Sequence, residues 1–167
     1  EVGRATLKAL EHHGVGVFVP QGQGCCGIPA LSSGDLFTFR KLLEHNLKLF
    51  ENEKIDALLT SCATCTMTIR EVWPKFASDL PKKRLKTLES LCEKTMDISE
   101  FLVRRAGLEA PDSPDEGPIE VTYHDPCHLK KSLGVFQEPR IVIKASKGYR
   151  LKEMSQPDKC CGMGGSF

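Results

Sequence analysis

The sequence predicts an α/β fold with two pseudo-repeated lobes, each a small, mostly parallel sheet flanked by helices. Short apolar segments typical of strands alternate with amphipathic segments typical of helices, which favours parallel strands joined by helices. The tripeptide Cys-Cys-Gly occurs twice, at 25–27 and 160–162, each time after a glycine, a strand-like segment and a polar loop. Between the repeats lies PDSPDEGP, a segment rich in proline and acidic residues that is typical of a linker. The predicted boundaries are a first lobe over 1–110, a linker over 111–118 and a second lobe over 119–167.

The first lobe is expected to begin with a helix, a strand and a second helix. Apolar residues recur at helical spacing up to Gly14, which predicts a helix that ends there. VGVFVP, at 15–20, is typical of a short strand. After the first Cys-Cys pair, apolar residues at three- and four-residue intervals predict a long amphipathic helix that begins near Asp35 and reaches Phe50.

The rest of the first lobe is expected to hold another strand and three helices. IDALLTS, at 55–61, is an apolar run typical of a buried parallel strand. A helix is predicted from Thr64 to Trp73, where Pro74 would end it. Further helices are predicted over 85–92 and from a cap at Asp97 to about Arg105.

The second lobe repeats this alternation. IEVTY, at 119–123, predicts a strand, residues 128–145 are expected to be helical with a break near Pro139, and YRLKEM, at 149–154, predicts another strand. All seven clustered cysteines would then follow the carboxyl ends of strands. Open α/β sheets build ligand sites at that edge.

The composition argues against several classes of partner. The chain has 167 residues, with 23 Lys and Arg against 22 Asp and Glu, a net charge of +1. Such a balance gives no field that would attract nucleic acid or an anionic membrane. No apolar run is long enough to span a membrane, and the N-terminal residues lack the pattern of a secretory signal. We therefore expect a cytoplasmic protein with no transmembrane segment and no nucleic-acid partner.

The spacing of the cysteines follows one template in both halves. The eight cysteines are Cys25, Cys26, Cys62, Cys65, Cys92, Cys127, Cys160 and Cys161. In the first half, 35 residues separate the pair from a CxxC motif, and in the second half, 32 residues separate a single cysteine from the pair. If each half holds a single cysteine, a pair and a CxxC, the missing members would lie before residue 1 and after residue 167. Both ends of the chain are therefore expected to be cut.

Clustered cysteines in a reducing compartment indicate metal or redox chemistry. Thiolates match the soft character of iron in iron–sulfur clusters. Gly27 and Gly162, directly after the pairs, would let the backbone approach sulfur closely. Cys25, Cys26, Cys62 and Cys65 could instead hold a structural zinc ion, or Cys62 and Cys65 could form a redox dithiol. The repeat favours iron, because neither alternative explains it.

The sequence makes less specific predictions for other residues near the motifs. Cys92 lies outside every motif and is expected to be a small buried hydrophobic residue. His124 and His128 flank Cys127 and could either donate a hydrogen bond to sulfur or hold the loop through backbone contacts. Asp125 and Pro126 are expected to shape the turn that presents Cys127. Lys130, Lys131 and Arg140 are expected to lie on a solvated face or to form a docking patch.

Four segments in this order resemble a known family: CCGIPALSSGD, SCATC, YHDPCHLKKSLGVFQEPR and CCGMGGSF. Together they resemble the cysteine-rich CCG domain, found twice in iron–sulfur subunits of heterodisulfide reductase, glycolate oxidase and anaerobic glycerol-3-phosphate dehydrogenase, and in the lactate utilization iron–sulfur proteins. The resemblance implies one [4Fe-4S] cluster per lobe, of a noncubane type in heterodisulfide reductase. By position, four of the five ligands of the first motif would be Cys25, Cys26, Cys62 and Cys65. Three of the five ligands of the second would be Cys127, Cys160 and Cys161.

The resemblance also implies a function. The chain would be a non-catalytic electron-transfer module, a fragment of the iron–sulfur subunit of a lactate or glycolate oxidoreductase, with a flavin-containing dehydrogenase subunit and a ferredoxin-type iron–sulfur domain as partners. It has neither a ferredoxin-type cysteine run nor a strand followed by GxGxxG. By itself it is expected to hold its clusters incompletely or not at all, and to reach the inner face of the membrane only through partners. Two alternatives remain open: a catalytic thiol or cluster module like heterodisulfide reductase, and a zinc-stabilised interaction domain.

Overall fold

The computed structural model describes residues 1–111 and 117–162. They form two compact units. One unit combines Glu1–Val17 with Asp97–Cys161, and the other is built on Phe18–Met96. This division differs from the predicted one, which placed the whole of 1–110 in one lobe. Most of the predicted linker, 112–116, lies outside the described residues.

The described part of the chain alternates helices with short strands. The α-helices are α1 (Val2–His12), α2 (Ile28–Ser32), α3 (Leu36–Phe50), α4 (Ala63–Met67), α5 (Lys82–Lys94), α6 (Ile98–Arg104) and α7 (Glu138–Ala145). The strands are β1 (Leu58–Thr60), β2 (Thr95–Asp97), β3 (Ile119–Val121) and β4 (Tyr149–Leu151). After α4 the chain continues as a π-helical segment, Thr68–Val72, and a 3₁₀ turn, Trp73–Phe76, and a second π-helical segment spans His128–Ser132.

The strands form two small sheets. β1 pairs with β2, and β3 pairs with β4. The second pair is parallel, with Ile119 opposite Tyr149 and Val121 opposite Leu151. Helices connect the strands of each pair, as parallel pairing requires. The predicted α/β fold class, with small sheets flanked by helices, is confirmed.

The core of the Phe18–Met96 unit is built on α3. Asp35 caps this helix, because its side chain accepts a hydrogen bond from the backbone N–H of Thr38 at 2.9 Å. Phe39, Leu43 and Leu47 then follow at four-residue intervals, and all three are fully buried. Trp73 and residues of α5 complete the same cluster. The apolar face of α3, predicted from the helical period of the sequence, therefore packs in the core as expected.

The other unit contains α6 and α7, which pack together. Asp97 caps α6 as predicted, accepting a hydrogen bond from the backbone N–H of Ser99 at 2.9 Å. An ion pair joins the two helices, with Arg104 Nη2 at 2.6 Å from Glu138 Oε1. None of the helices in the described part of the chain combines the length and the apolar character that crossing a membrane requires.

Three predicted elements differ from the structure. Residues 15–20 are not a strand: they have no strand partner among the described residues, and Val17, Phe18 and Val19 are exposed. An apolar, β-branched segment becomes a strand only where a neighbouring strand can pair with it. Pro74 does not end the helical path, because it lies in the first turn of the 3₁₀ segment, where its missing N–H is not needed. Pro139 likewise stands in the first turn of α7 and starts that helix instead of breaking one.

The distance between strand ends and cysteines varies. Cys62 follows β1 closely, as predicted. The Cys25–Cys26 pair follows an extended segment that is not a strand, and longer loops separate Cys127 from β3 and Cys160 from β4. The prediction that every clustered cysteine directly follows a strand is therefore wrong, except at Cys62.

Candidate functional site

The structure gathers the four cysteines of the Phe18–Met96 unit, which we call the first cysteine cluster: Cys25, Cys26, Cys62 and Cys65. The thiol of Cys26 contacts those of Cys25 and Cys65. Cys65 in turn contacts Cys62. The Cys25–Cys26 pair and the CxxC motif, which are at least 36 positions apart in sequence, are thus brought together, as the cysteine spacing predicts.

Two side chains from different elements hold the Cys25–Cys26 loop. Asn46, on α3, donates to the carbonyl oxygen of Cys25 at 3.0 Å and accepts from the backbone N–H of Gly24 at 3.3 Å. The indole Nε1–H of Trp73 donates to the carbonyl oxygen of Cys26 at 2.9 Å. Asn46 and Trp73 are both buried, so the loop is fixed from inside the unit.

Gly27 meets a steric requirement directly after the pair. Its φ is +91°, in the left-handed region that favours glycine. A Cβ at this position would lie 2.8 Å from Cδ2 of Phe39, which is fully buried. The N–H of Gly27 donates to Cys25 Sγ at 3.4 Å. The predicted close approach of backbone to sulfur is present.

Threonines fix the CxxC segment. The carbonyl oxygen of Cys62, just before α4, accepts from the hydroxyl of Thr60 at 3.0 Å and from the hydroxyl of Thr66 at 3.1 Å. Thr66 is fully buried, and its backbone N–H also donates to Cys62 O at 3.0 Å. Cys62 is therefore anchored through its backbone, and its exposed side chain keeps its sulfur available.

In the first cysteine cluster, the pKa values of two contacting thiols shift in opposite directions. The hydrogen bond from Cys65 lowers the pKa of Cys26 to about 6, although burial opposes this shift. The same contact, together with burial, raises the pKa of Cys65. The contact therefore lowers the pKa of one thiol of the pair and raises that of the other. Thiolates are the form in which cysteine binds metals and attacks disulfides.

The donor set of the first cluster fits a thiolate-bound metal group in its chemistry. In the order Cys25, Cys26, Cys65 and Cys62, each thiol interacts with the next. Among residues 1–111 and 117–162, no group of three or more Cys, His, Asp or Glu side chains is arranged so that it could hold a metal ion. Two of the four cysteines, Cys25 and Cys62, have exposed side chains.

The remaining three clustered cysteines, Cys127, Cys160 and Cys161, form what we call the second cysteine cluster. Contacts made by nearby residues join the loop that carries Cys127 to the loop that leads to Cys160. The backbone N–H of Asp125 donates to Pro157 O at 2.7 Å, and His124 Nε2 contacts Lys159 O at 2.9 Å. His124 therefore holds the loop through the backbone, one of its two predicted roles. Cys160 and Cys161 are exposed, and Cys127 is half-buried.

Other predicted site residues have clear positions. His128 begins the π-helical segment directly after Cys127. Gly162 has a φ of +76°, which suits glycine. Cys92 lies outside both clusters; it is half-buried, and its thiol donates to Ile69 O at 3.1 Å.

Sequence reasoning missed the role of Arg140, which was expected on a solvated face or docking patch. It is buried, and its Nη1 donates to Asp125 Oδ1 at 2.6 Å. Its Nε donates to Glu153 Oε1 at 2.7 Å. Lys130 is not free either, since its Nζ lies 2.9 Å from Asp125 Oδ2. Such partners are 5 to 15 positions apart and follow no helical or strand period, so no local pattern could have revealed them.

Comparison with known proteins agrees with this arrangement. The model of the cysteine-rich domain family, CCG, matches residues 1–70 and 121–167. An uncharacterized iron-sulfur protein of Methanococcus maripaludis is 36% identical over 165 residues, and a subunit of the fumarate reductase (CoM/CoB) of Methanothermobacter marburgensis is 36% identical over 167 residues. Lactate utilization protein A of Bacillus velezensis is 34% identical over 169 residues.

These alignments cover 99% of this chain. The chain spans 30% of the length of each of the first two relatives and 67% of the third. No solved structure matches it. The family model covers well over half of the chain and reaches the cysteine motifs of both halves. The chain therefore belongs to the cysteine-rich CCG domain family.

Proposed function

We propose that this chain is an iron–sulfur electron-transfer module of a 2-hydroxy acid oxidoreductase that acts on lactate or glycolate. The gathering of Cys25 and Cys26 with Cys62 and Cys65 carries the proposal. A relative named as an iron-sulfur protein supports the cofactor, and relatives named lactate utilization protein A support the substrate class.

The two cysteine clusters would be the ligand sets. In the first cluster, Cys26 already favours the thiolate form, and the N–H of Gly27 donates to Cys25 Sγ and so offsets part of the negative charge on sulfur. In the second cluster, Cys127, Cys160 and Cys161 would serve as ligands. A bound [4Fe-4S] group supplies one-electron transfer, so the chain would carry electrons without itself oxidising a substrate.

An electron carrier needs a donor and an acceptor. We infer a flavin-containing dehydrogenase subunit as the donor and a ferredoxin-type iron–sulfur domain as a further carrier. One relative is named as a subunit of a reductase, which supports a role within a multisubunit complex.

Metal content tests the proposal. The whole natural protein that contains this chain is purified without oxygen, and iron, zinc and acid-labile sulfide are measured per chain. We expect iron with matching sulfide, reduced iron content in Cys62→Ser, and unchanged iron in the control Cys92→Ser, because Cys92 lies outside the cluster. A colourless protein that holds stoichiometric zinc would overturn the proposal and favour a zinc-stabilised interaction domain.

One observation favours a second candidate, a catalytic thiol module. Cys26 and Cys65 are in contact, with the acidities of an attacking and a resolving thiol. The Cys26 thiolate would attack a substrate disulfide and expel one thiol, and Cys65 would then displace the second, so that the dithiol is oxidised to a disulfide and the substrate is reduced to two thiols. Reduction of one equivalent of a substrate disulfide by the reduced protein, which Cys65→Ser abolishes, would support this candidate, and its absence would exclude it.

A further inference from the structure

The carboxylate of Asp125, two residues before Cys127, is buried. Only 1% of its side-chain surface is exposed. Each of its oxygens faces a cation: Oδ1 is 2.6 Å from Arg140 Nη1, and Oδ2 is 2.9 Å from Lys130 Nζ. A buried carboxylate is tolerated only when it is paired in this way. Asp125 is therefore fixed in position by two partners from different parts of the chain.

Arg140 is itself held from several directions. Its guanidinium donates to Asp125, to the carbonyl oxygen of Phe136 at 2.6 Å and to both carboxylate oxygens of Glu153, at 2.7 Å and 3.1 Å. The planar guanidinium offers its donors in a rigid fork, so it cannot move toward one partner without losing another. A lysine could keep the charge but not this set of contacts.

Asp125 connects this fixed point to both cysteine loops. It precedes Cys127 by two residues, with Pro126, whose φ is restrained, between them. Its backbone N–H donates to Pro157 O at 2.7 Å, and Lys130 also reaches Asp158 at 3.3 Å. Pro157 and Asp158 lie in the loop that leads to Cys160. The same group of contacts therefore sets the distance between the two parts of the second cysteine cluster.

We propose that Arg140 is a positioning residue of the second cysteine cluster: through Asp125 it holds the loop that carries Cys127 against the loop that leads to Cys160 and Cys161. This inference rests on the proposed function, in which these cysteines share one group. Arg140 acts through Asp125 and also through Glu153, which lies between β4 and Cys160.

Arg104 provides a control, with a side chain that is 47% exposed against 10% for Arg140. It belongs to the same unit and donates to buried Glu138 at 2.8 Å and to Glu100 at 2.9 Å. These are charge-assisted contacts of the same type, made to α6 and α7 and not to the cysteine loops. If general loosening around α7 were enough to separate the loops, Arg104→Lys would act like Arg140→Lys.

Thiol cross-linking in the metal-free whole protein tests the proposal. A short bismaleimide is added to the reduced protein, and peptide mass spectrometry measures the rate at which Cys127 becomes linked to Cys160 or Cys161. Circular dichroism first verifies that each variant is folded. We expect Arg140→Lys to lower this rate about tenfold by lowering the effective concentration of the thiols. We expect a smaller fall in Lys130→Gln, which keeps the Arg140 contacts, and no change in Arg104→Lys.

Three results would overturn the proposal: a normal rate in Arg140→Lys, an equal fall in Arg104→Lys, or no such cross-link in the unmodified protein. Cross-linking needs no metal, so its result does not depend on whether these cysteines bind an iron–sulfur group. A protein that binds no iron but shows the Arg140→Lys defect would retain the positioning role and exclude the iron–sulfur proposal.

Discussion

At the residue scale, Gly27 combines a backbone requirement with a packing requirement. Alanine at this position would have to adopt a φ of +91° and place its Cβ 2.8 Å from Phe39 Cδ2. The left-handed conformation and the overpacking together predict a loss of about 2 to 4 kcal/mol in the free energy of unfolding of Gly27→Ala. Urea denaturation of the metal-free protein measures it.

Gly34 supplies the control for Gly27. Its φ is +83°, but no atom lies within 4 Å of a Cβ at this position. Gly34→Ala should therefore lose only the conformational part, about 1 to 2 kcal/mol. Equal losses in the two variants would show that contact with Phe39 does not matter.

Cys92 is half-buried, whereas Cys25 of the first cysteine cluster is exposed. Burial raises its pKa to about 11, and its thiol donates to Ile69 O. At pH 8 very little thiolate forms, so iodoacetamide should label Cys92 at least about a hundredfold more slowly than an unstructured cysteine. Quantitative mass spectrometry of the metal-free protein measures this rate, with exposed Cys25 as the internal comparison. Labelling of Cys92 as fast as that of Cys25 would contradict the burial argument.

At the element scale, α3 is both the core helix of its unit and the support of a cysteine loop. Phe39, Leu43 and Leu47 face the core, while Asn46 bonds to Gly24 and Cys25. This division follows from the helical period, which places Asn46 beside the apolar face.

Asn46→Ala would leave the backbone groups at Gly24 and Cys25 without their partner. We expect it to lower the free energy of unfolding by about 1 to 3 kcal/mol and to increase the alkylation rate of Cys25. Asn52→Ala is the control, since the described part of the structure gives Asn52 an exposed contact with Lys83 at 3.4 Å, and we expect it to change stability by less than about 0.5 kcal/mol. Unchanged labelling of Cys25 in Asn46→Ala would contradict the supporting role of α3.

Elements with strong local signals could be predicted from the sequence. The apolar period predicted α3 and its start near Asp35, and Asp97 predicted the start of α6. The short helix α2 and strand β2 could not be predicted, because a few residues take their conformation from packing and pairing partners. The segment 15–20 shows the same limit in reverse: its composition is typical of a strand, but no strand in the described part of the chain pairs with it.

At the scale of the whole molecule, the spacing of the cysteines revealed more about long-range contacts than the local sequence pattern did. The spacing of the cysteines predicted that Cys25 and Cys26 share a site with Cys62 and Cys65. In the structure Cys26 contacts Cys65, although no local signal links them, and the role of these cysteines as ligands stays a prediction. The sequence did not reveal that residues 1–17 group with residues 97–161. Such grouping depends on long-range packing. The Arg140 contacts were missed for the same reason.

X-ray absorption at the iron edge of the anaerobically prepared whole protein tests the central claim most directly. If the first cysteine cluster holds an iron–sulfur group, the spectrum shows iron surrounded by sulfur with a neighbouring iron. That signal falls in Cys26→Ser and stays unchanged in Cys92→Ser. Iron bound only by nitrogen and oxygen, or an identical spectrum in Cys26→Ser and the unmodified protein, would contradict the claim.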